Sequence, residues 1–410
     1  MTSVGQGRKL AIESIEAIPV TIPIEAPILT AFGSLAVYSR LVLKVRTEGG
    51  HVGYGEVSGR IKPEAIALFA ASLRGLSVLE TTRITKRIKN WNYYAYQKPE
   101  PIMAAIEMAC LDAAGKAIGA PLYELLGGRM HDKVPVASYL FFRHADEHGA
   151  NRIHTPDEAV AFAKDQISRF GFDTVKLKGG YFSPETDRDT LEALRDSLGR
   201  DIKLRIDPQG AWTPTTAIRI GADIDRLGLE YYEDPCWTAA AMARVRKSVR
   251  TPLATNMCAT SFEEFHGAIG IGAVDVVLSD LWYWGGLRAT MAVDDLCFAN
   301  GVDLGMHSGG ELGIGWAAMI HTAAAMPHLR LAIDNMNLHL RDDVIVGDRL
   351  LPSDGHIAPP EGPGLGIEID EEKLARYAEL ARSGQATDRL LNPTLADSAR
   401  PGWYPKMPAW

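Results

Sequence analysis

The sequence predicts an α/β fold: a closed (β/α)₈-type parallel barrel behind a separate α+β domain. Two observations carry this. From about residue 134, short apolar strands alternate with helical stretches. Polar residues also recur at the end of one predicted strand after another: Lys176/Lys178, Asp207, Glu233, Asn256, Asp280, His307 and Asp334, spaced 26, 23, 24, 27 and 27 residues apart from Asp207 onward. Strand–helix alternation at that period builds parallel sheets, and eight units close a barrel.

The opening segment reads differently. Ile12 to Ile22 and Leu41 to Thr47 alternate apolar and polar, and Gly49-Gly50 is placed to turn Leu41–Thr47 into His51–Val57. Residues 62 to 119 switch to helical period, most clearly over Ile102 to Ile118, with Pro121 and Gly127-Gly128 as punctuation. Strands followed by helices set a capping domain over 1–130. The barrel is expected over 131–345, with 346–410 returning to the cap. Within the barrel, Val134 to Leu140 is the first strand. Thr155-Pro156 with Glu158 forms a capping box for the next helix, closed by Gly171. The strand F-D-T-V-K-L-K-G-G (172–180) follows, then strands at 203–207, 230–233, 252–256, 275–280, 302–307 and 331–334.

In such barrels the strand C-termini form the reactive face. Side chains alternate along a strand, so Lys176 and Lys178 share one face, opposite Val175 and Leu177. Repulsion and burial should pull a lysine pKa down and ready it as a base. Leu204 and Ile206 turn outward, which leaves Asp207 facing inward. Asp207, Glu233 and Asn256, on three consecutive strands, supply only oxygen, a set suited to Mg²⁺, with Mn²⁺ as the substitute ion. His307 lies on the other flank, and Asp280 is placed to hold one of its nitrogens. Two bases across a metal suit removal of a proton α to a carboxylate.

Composition narrows the class. The chain has 410 residues, 46% hydrophobic and 23% charged, with net charge −8 and no basic run, which argues against nucleic acid. The four cysteines lack C-x-x-C spacing, and neither a signal peptide nor a spanning segment is visible, so a cytoplasmic protein without membrane contact is expected.

K-L-K-G-G, I-D-P-Q-G-A-W, E-D-P and G-M-H-S, with the helix Ile106 to Gly128, resemble the enolase superfamily. Asn256 in A-T-N-M-C-A-T, the pair His307-Ser308 and P-G-L-G-I-E-I-D are similar to its glucarate dehydratase subgroup. The resemblance implies a (β/α)₇β TIM-like barrel capped by an α+β domain built from both termini. It implies metal ligation by Asp207, Glu233 and Asn256, base chemistry by Lys178 and His307, and support from Lys176 and Asp280. The implied activity is Mg²⁺-dependent dehydration of an acid sugar to a 2-keto-3-deoxy acid. The alternatives are a racemase or epimerase working through the same enediolate, or a non-catalytic relative. A small carboxylate substrate and a homo-oligomer are expected. Candidate substrate contacts are Tyr139, Gln209, Ser308, Thr30, Ser34 and Trp282. The subgroup carries asparagine where Gln209 stands, and polar residues where Gly309-Gly310-Glu311-Leu312 follows His307-Ser308. A histidine cluster (His144, His148, His154) reads as a solvated loop, and the tail 401–410 as a docked terminus.

Overall fold

The computed structural model describes residues 9–91, 98–386 and 404–410. It opens with an antiparallel sheet of β1 (Ile12–Thr30), β2 (Gly33–Thr47) and β3 (Val52–Ser58), in that order. The β1–β2 ladder runs from Ile12↔Thr47 to Thr30↔Gly33, with an irregularity between Pro23 and Ile28. Helices α1 (Pro63–Leu73), α2 (Thr81–Trp91), α3 (Glu100–Ile118) and α4 (Leu122–Leu125) follow. Helix α3 is buried nearly all round and lies on β3. Two glycines permit that approach. A Cβ at Gly53 would sit 2.0 Å from the Ala109 carbonyl oxygen, and one at Gly55 would sit 2.1 Å from that of Ala105.

The second sheet is parallel. It contains β5 (Ser138–Phe141), β6 (Thr174–Lys178), β7 (Lys203–Asp207), β8 (Tyr231–Glu233), β9 (Leu253–Thr255), β10 (Val276–Ser279) and β11 (Asp303–Met306), each paired with the next. Between them run α5 (Pro156–Phe170), α6 (Pro184–Leu198), α7 (Pro214–Ile224), α8 (Ala239–Arg246), α9 (Phe262–Gly270) and α10 (Leu287–Ala299). The Thr155/Glu158 capping box starts α5, and left-handed Gly171 ends it. After β11 come α11 (Gly313–Ala325) and, past the barrel, α12 (Glu371–Ser383), which packs on β1. Helix α12, far along the chain, therefore packs on the sheet of the N-terminal segment.

Two expected strands differ from the sequence reading. The 134–140 strand is split: β4 (Val134–Pro135) pairs antiparallel with β12 (His356–Ile357), and only β5 joins the barrel. Residues 331–334 form no regular strand. They still bridge the gap, because Ile333 bonds Pro135 and Ala137 on one side and Asp334 donates to the Met306 carbonyl on the other. The carbonyl of Ala332 is taken by the Arg205 guanidinium at 2.8 Å, so the eighth position closes the barrel irregularly.

Leu204 and Ile206 join the main apolar core, while the facing parity turns inward. Tyr231, Ala254, Val276 and Leu278 form a separate small apolar cluster on the strand faces that carry Glu233, Asn256 and Asp280. The polar strand ends stand on this layer.

Candidate active site

Lys178 and Asp207 end neighbouring strands in direct register, and their side chains form an ion pair. The other Asp207 oxygen accepts the Gln209 amide at 2.7 Å. Burial opposes ionisation of Asp207, but Lys178, Lys176 and this amide hold its pKa below the ordinary value. Lys176 reaches across the barrel to Asp334, at 2.5 Å, and to Glu233. The Tyr139 ring lies 5.1 Å from both ammonium groups.

Lys176 is held as a cation by its carboxylate neighbours. Burial pulls its pKa down, but Asp334, Glu233 and Tyr231 push it up, and the net shift is well above the ordinary value. It is a buried ammonium held between two carboxylates.

Glu233 and Asn256 complete the oxygen set on β8 and at the end of β9. The amide of Asn256 donates to Asp234 at 2.8 Å, and Thr255 also donates to Asp234, at 2.6 Å. Sequence reasoning passed over Asp234, although E-D-P carries it directly after Glu233. Burial and the Asp207 charge push the Glu233 pKa well above its usual value, against Lys176 and Lys178. Among the described residues, the buried Glu233 Oε1 and Asn256 Oδ1 have no hydrogen-bond partner. A buried, unpaired oxygen is costly unless something meets it. Two such atoms beside the Asp207 carboxylate fit a hard cation. Among the described residues, no three His, Cys, Asp or Glu side chains are grouped to hold a metal. This set has two carboxylates and an amide.

His307 follows β11, with Nδ1 3.5 Å from Asp280 Oδ2. Asp280 is itself fixed by the amides of Trp282, at 2.9 Å, and Tyr283, at 2.7 Å.

Several expected substrate contacts are already engaged inside the protein. Gln209 Oε1 accepts the Ala31 amide at 2.9 Å, which ties the β1–β2 turn to the loop after β7. Thr30 bonds the Gly33 carbonyl and the Phe32 amide within that turn. Ser308 donates to Glu311 and accepts the Met336 amide at 2.9 Å. Trp282 does not wall a pocket with its indole N–H, which donates to the Glu56 carbonyl of β3 at 2.6 Å. Ser34, opposite Leu29 in the same hairpin, is buried. Tyr139, buried beneath the lysines, keeps its hydroxyl unpartnered. A Cβ at Gly310 would lie 2.3 Å from the Tyr38 ring. His144 and His154 sit 3.2 Å apart, while His148 is exposed. The tail docks as expected over 404–410: the Ala409 amide donates to Ala211 and the Trp410 carbonyl accepts the Thr213 amide. Residues 401–403 lie outside the described residues.

Two family models match the chain. The N-terminal domain of mandelate racemase/muconate lactonizing enzyme covers residues 13–127, and the enolase C-terminal domain-like family covers 158–373. A probable glucarate dehydratase of Streptomyces coelicolor is 36% identical over 98% of this chain and 100% of its own length. The structure of an enolase from Gibberella zeae, complexed with magnesium, formate and sulfate, superposes with a TM-score of 0.90 at 31% identity, covering 99% of both chains. An enolase from Mycobacterium smegmatis, complexed with tartrate, gives 0.88 at 34% identity over 98% of both. With the barrel, its cap and both matched domains in agreement, the chain belongs to the enolase superfamily of enzymes.

Proposed function

We propose that the protein is a Mg²⁺-dependent acid-sugar dehydratase acting on an aldarate or aldonate. The observation that carries this reading is the pair of unpartnered oxygens on Glu233 and Asn256 beside Asp207, with Lys178 against that set and His307 backed by Asp280. Asp207, Glu233 and Asn256 would hold the ion, which supplies Lewis-acid stabilisation of charge on the substrate carboxylate.

The chain's own residues do the rest. Lys178 takes the proton from the carbon α to the carboxylate. Lys176 stays charged between Asp334 and Glu233 and opposes the negative charge developing nearby. His307, oriented by Asp280, gives a proton to the departing β-hydroxyl as the C–O bond breaks, and water leaves. The resulting enol becomes a 2-keto-3-deoxy acid. Gln209 ties the β1–β2 turn to the loop that follows Asp207.

The probable glucarate dehydratase of S. coelicolor and the tartrate held by the M. smegmatis enolase agree with a hydroxy-diacid substrate. Since Gln209, Thr30 and Ser308 are committed internally, the distal end of the substrate is read by fewer polar groups than the sequence suggests. Incubation of the Mg²⁺-loaded protein with a panel of aldarates and aldonates should give a 2-keto acid with at least one. Turnover that survives complete metal removal would overturn the proposal.

A further inference from the structure

The strongest unassigned feature is a buried ionic cluster where the cap meets the His307 side of the barrel. Glu56 on β3 is fully buried. Its Oε1 accepts Arg40 Nε at 3.1 Å, with Arg40 Nη2 at 3.0 Å. The same oxygen accepts the Leu312 amide at 3.1 Å, and the Gly315 amide also bonds this carboxylate. These amides open helix α11. Glu56 therefore caps the N-terminus of a barrel helix from another layer of the molecule, where an anion is favoured. Gly315 admits it: a Cβ there would lie 2.8 Å from Glu56 Oε1.

Two connections run from this residue to His307. The first follows the chain back from Leu312. Glu311 binds the Gly309 amide at 2.6 Å and the Ser308 hydroxyl, which fixes the segment that begins at His307. The second leaves from the Glu56 backbone. Its carbonyl receives the Trp282 indole N–H at 2.6 Å, and the Arg40 guanidinium lies over the same ring at 5.0 Å. The Trp282 amide binds Asp280, which faces His307 Nδ1. Lys178, by contrast, is held from within the barrel by Asp207.

We propose that the Arg40–Glu56 pair is a latch that positions His307 and Asp280, so that this face of the site is completed by the seated cap. Arg40 and Glu56 are positioning residues, acting through α11 and Trp282. The inference rests on the reading of Lys178 and His307 as acid–base groups on separate faces. Small displacements of such groups are expensive, since about 1 Å of misplacement can cost on the order of a hundredfold in rate.

The test uses Glu56→Gln, which keeps the shape and loses the charge, and Trp282→Phe, which removes the indole N–H while keeping an aromatic ring. Two readouts are taken on the full-length protein. Amide hydrogen exchange over 305–312 is compared with 174–180, which needs no substrate. Deuterium entry at the α-carbon is followed for the two epimers of an acid that the wild type processes. In both variants 305–312 should exchange faster while 174–180 is unchanged. The His307-dependent rate in Glu56→Gln should fall by about tenfold or more, with the Lys178-dependent rate near wild type. A uniform rise in amide exchange with equal loss on both faces would reduce the pair to a stability element and overturn the proposal, as would wild-type behaviour in both variants. If the wild type gives neither α-proton exchange nor 2-keto product with any acid, the dehydratase reading fails, and amide protection at 305–312 still decides the latch.

Discussion

At the scale of the residue, the inward-facing polar strand ends were legible because one period governs them. A strand end recurs every 23 to 27 residues, and inward parity can be counted from Leu204 and Ile206. Hydrogen-bond allegiance was not legible. Ser308, Thr30, Gln209 and Trp282 look available in the sequence, and each is spent on a backbone group that no local pattern announces. The carboxylate that Lys176 pairs with was not legible for the same reason, since Asp334 lies 158 positions away. Two outcomes follow. Asp207→Ala or Glu233→Ala should abolish Mg²⁺ binding measured by calorimetry. Activity should drop by about a thousandfold or more, as loss of several kcal/mol of charge stabilisation requires. Lys176→Met removes the buried cation between Asp334 and Glu233, leaving Asp334 only Arg205 at 3.8 Å, and denaturant unfolding should report a loss of about 3–5 kcal/mol.

At the scale of the element, packing is set where side chains are absent. The carbonyls of Ala105 and Ala109 on α3 would lie 2.1 Å and 2.0 Å from new Cβ atoms at Gly55 and Gly53. Helix and strand therefore touch through backbone, and nothing flexible can yield. Gly53→Ala should destabilise the cap by about 3 kcal/mol or more, read as a lower midpoint in urea at unchanged slope. The sequence shows the helix and the strand but not their distance. It also shows 331–334 as a strand, because apolar alternation is the same whether the carbonyls meet a neighbouring strand or, as at Ala332, a guanidinium. Element type was legible from periodicity; the partner of each backbone group was not.

At the scale of the whole molecule, the interfaces between layers hold buried carboxyls. Burial raises Glu56 to about 7 against Arg40, raises Glu107 to about 7 against the Arg288 amide, and raises Asp187 to about 8 against the Gly180 amide. Each lies above its ordinary value of 4.5, 4.5 or 3.8. Between those limits the folded state binds more protons than the unfolded one, so stability falls as pH rises. The thermal midpoint of the metal-free protein should climb as pH is lowered from about 8 to about 5, and a midpoint that rises with pH over that window would contradict these assignments. The central claim is chemical: oxygens on Asp207, Glu233 and Asn256 and two opposed acid–base groups serve removal of an α-proton. The most direct measurement is deuterium entry at the α-carbon of acid sugars in D₂O, followed by NMR with and without Mg²⁺. The account predicts metal-dependent exchange or 2-keto product with wild type, and loss of both when Lys178→Ala and His307→Asn are combined. Undiminished exchange in that double variant, or exchange indifferent to Mg²⁺, would contradict it.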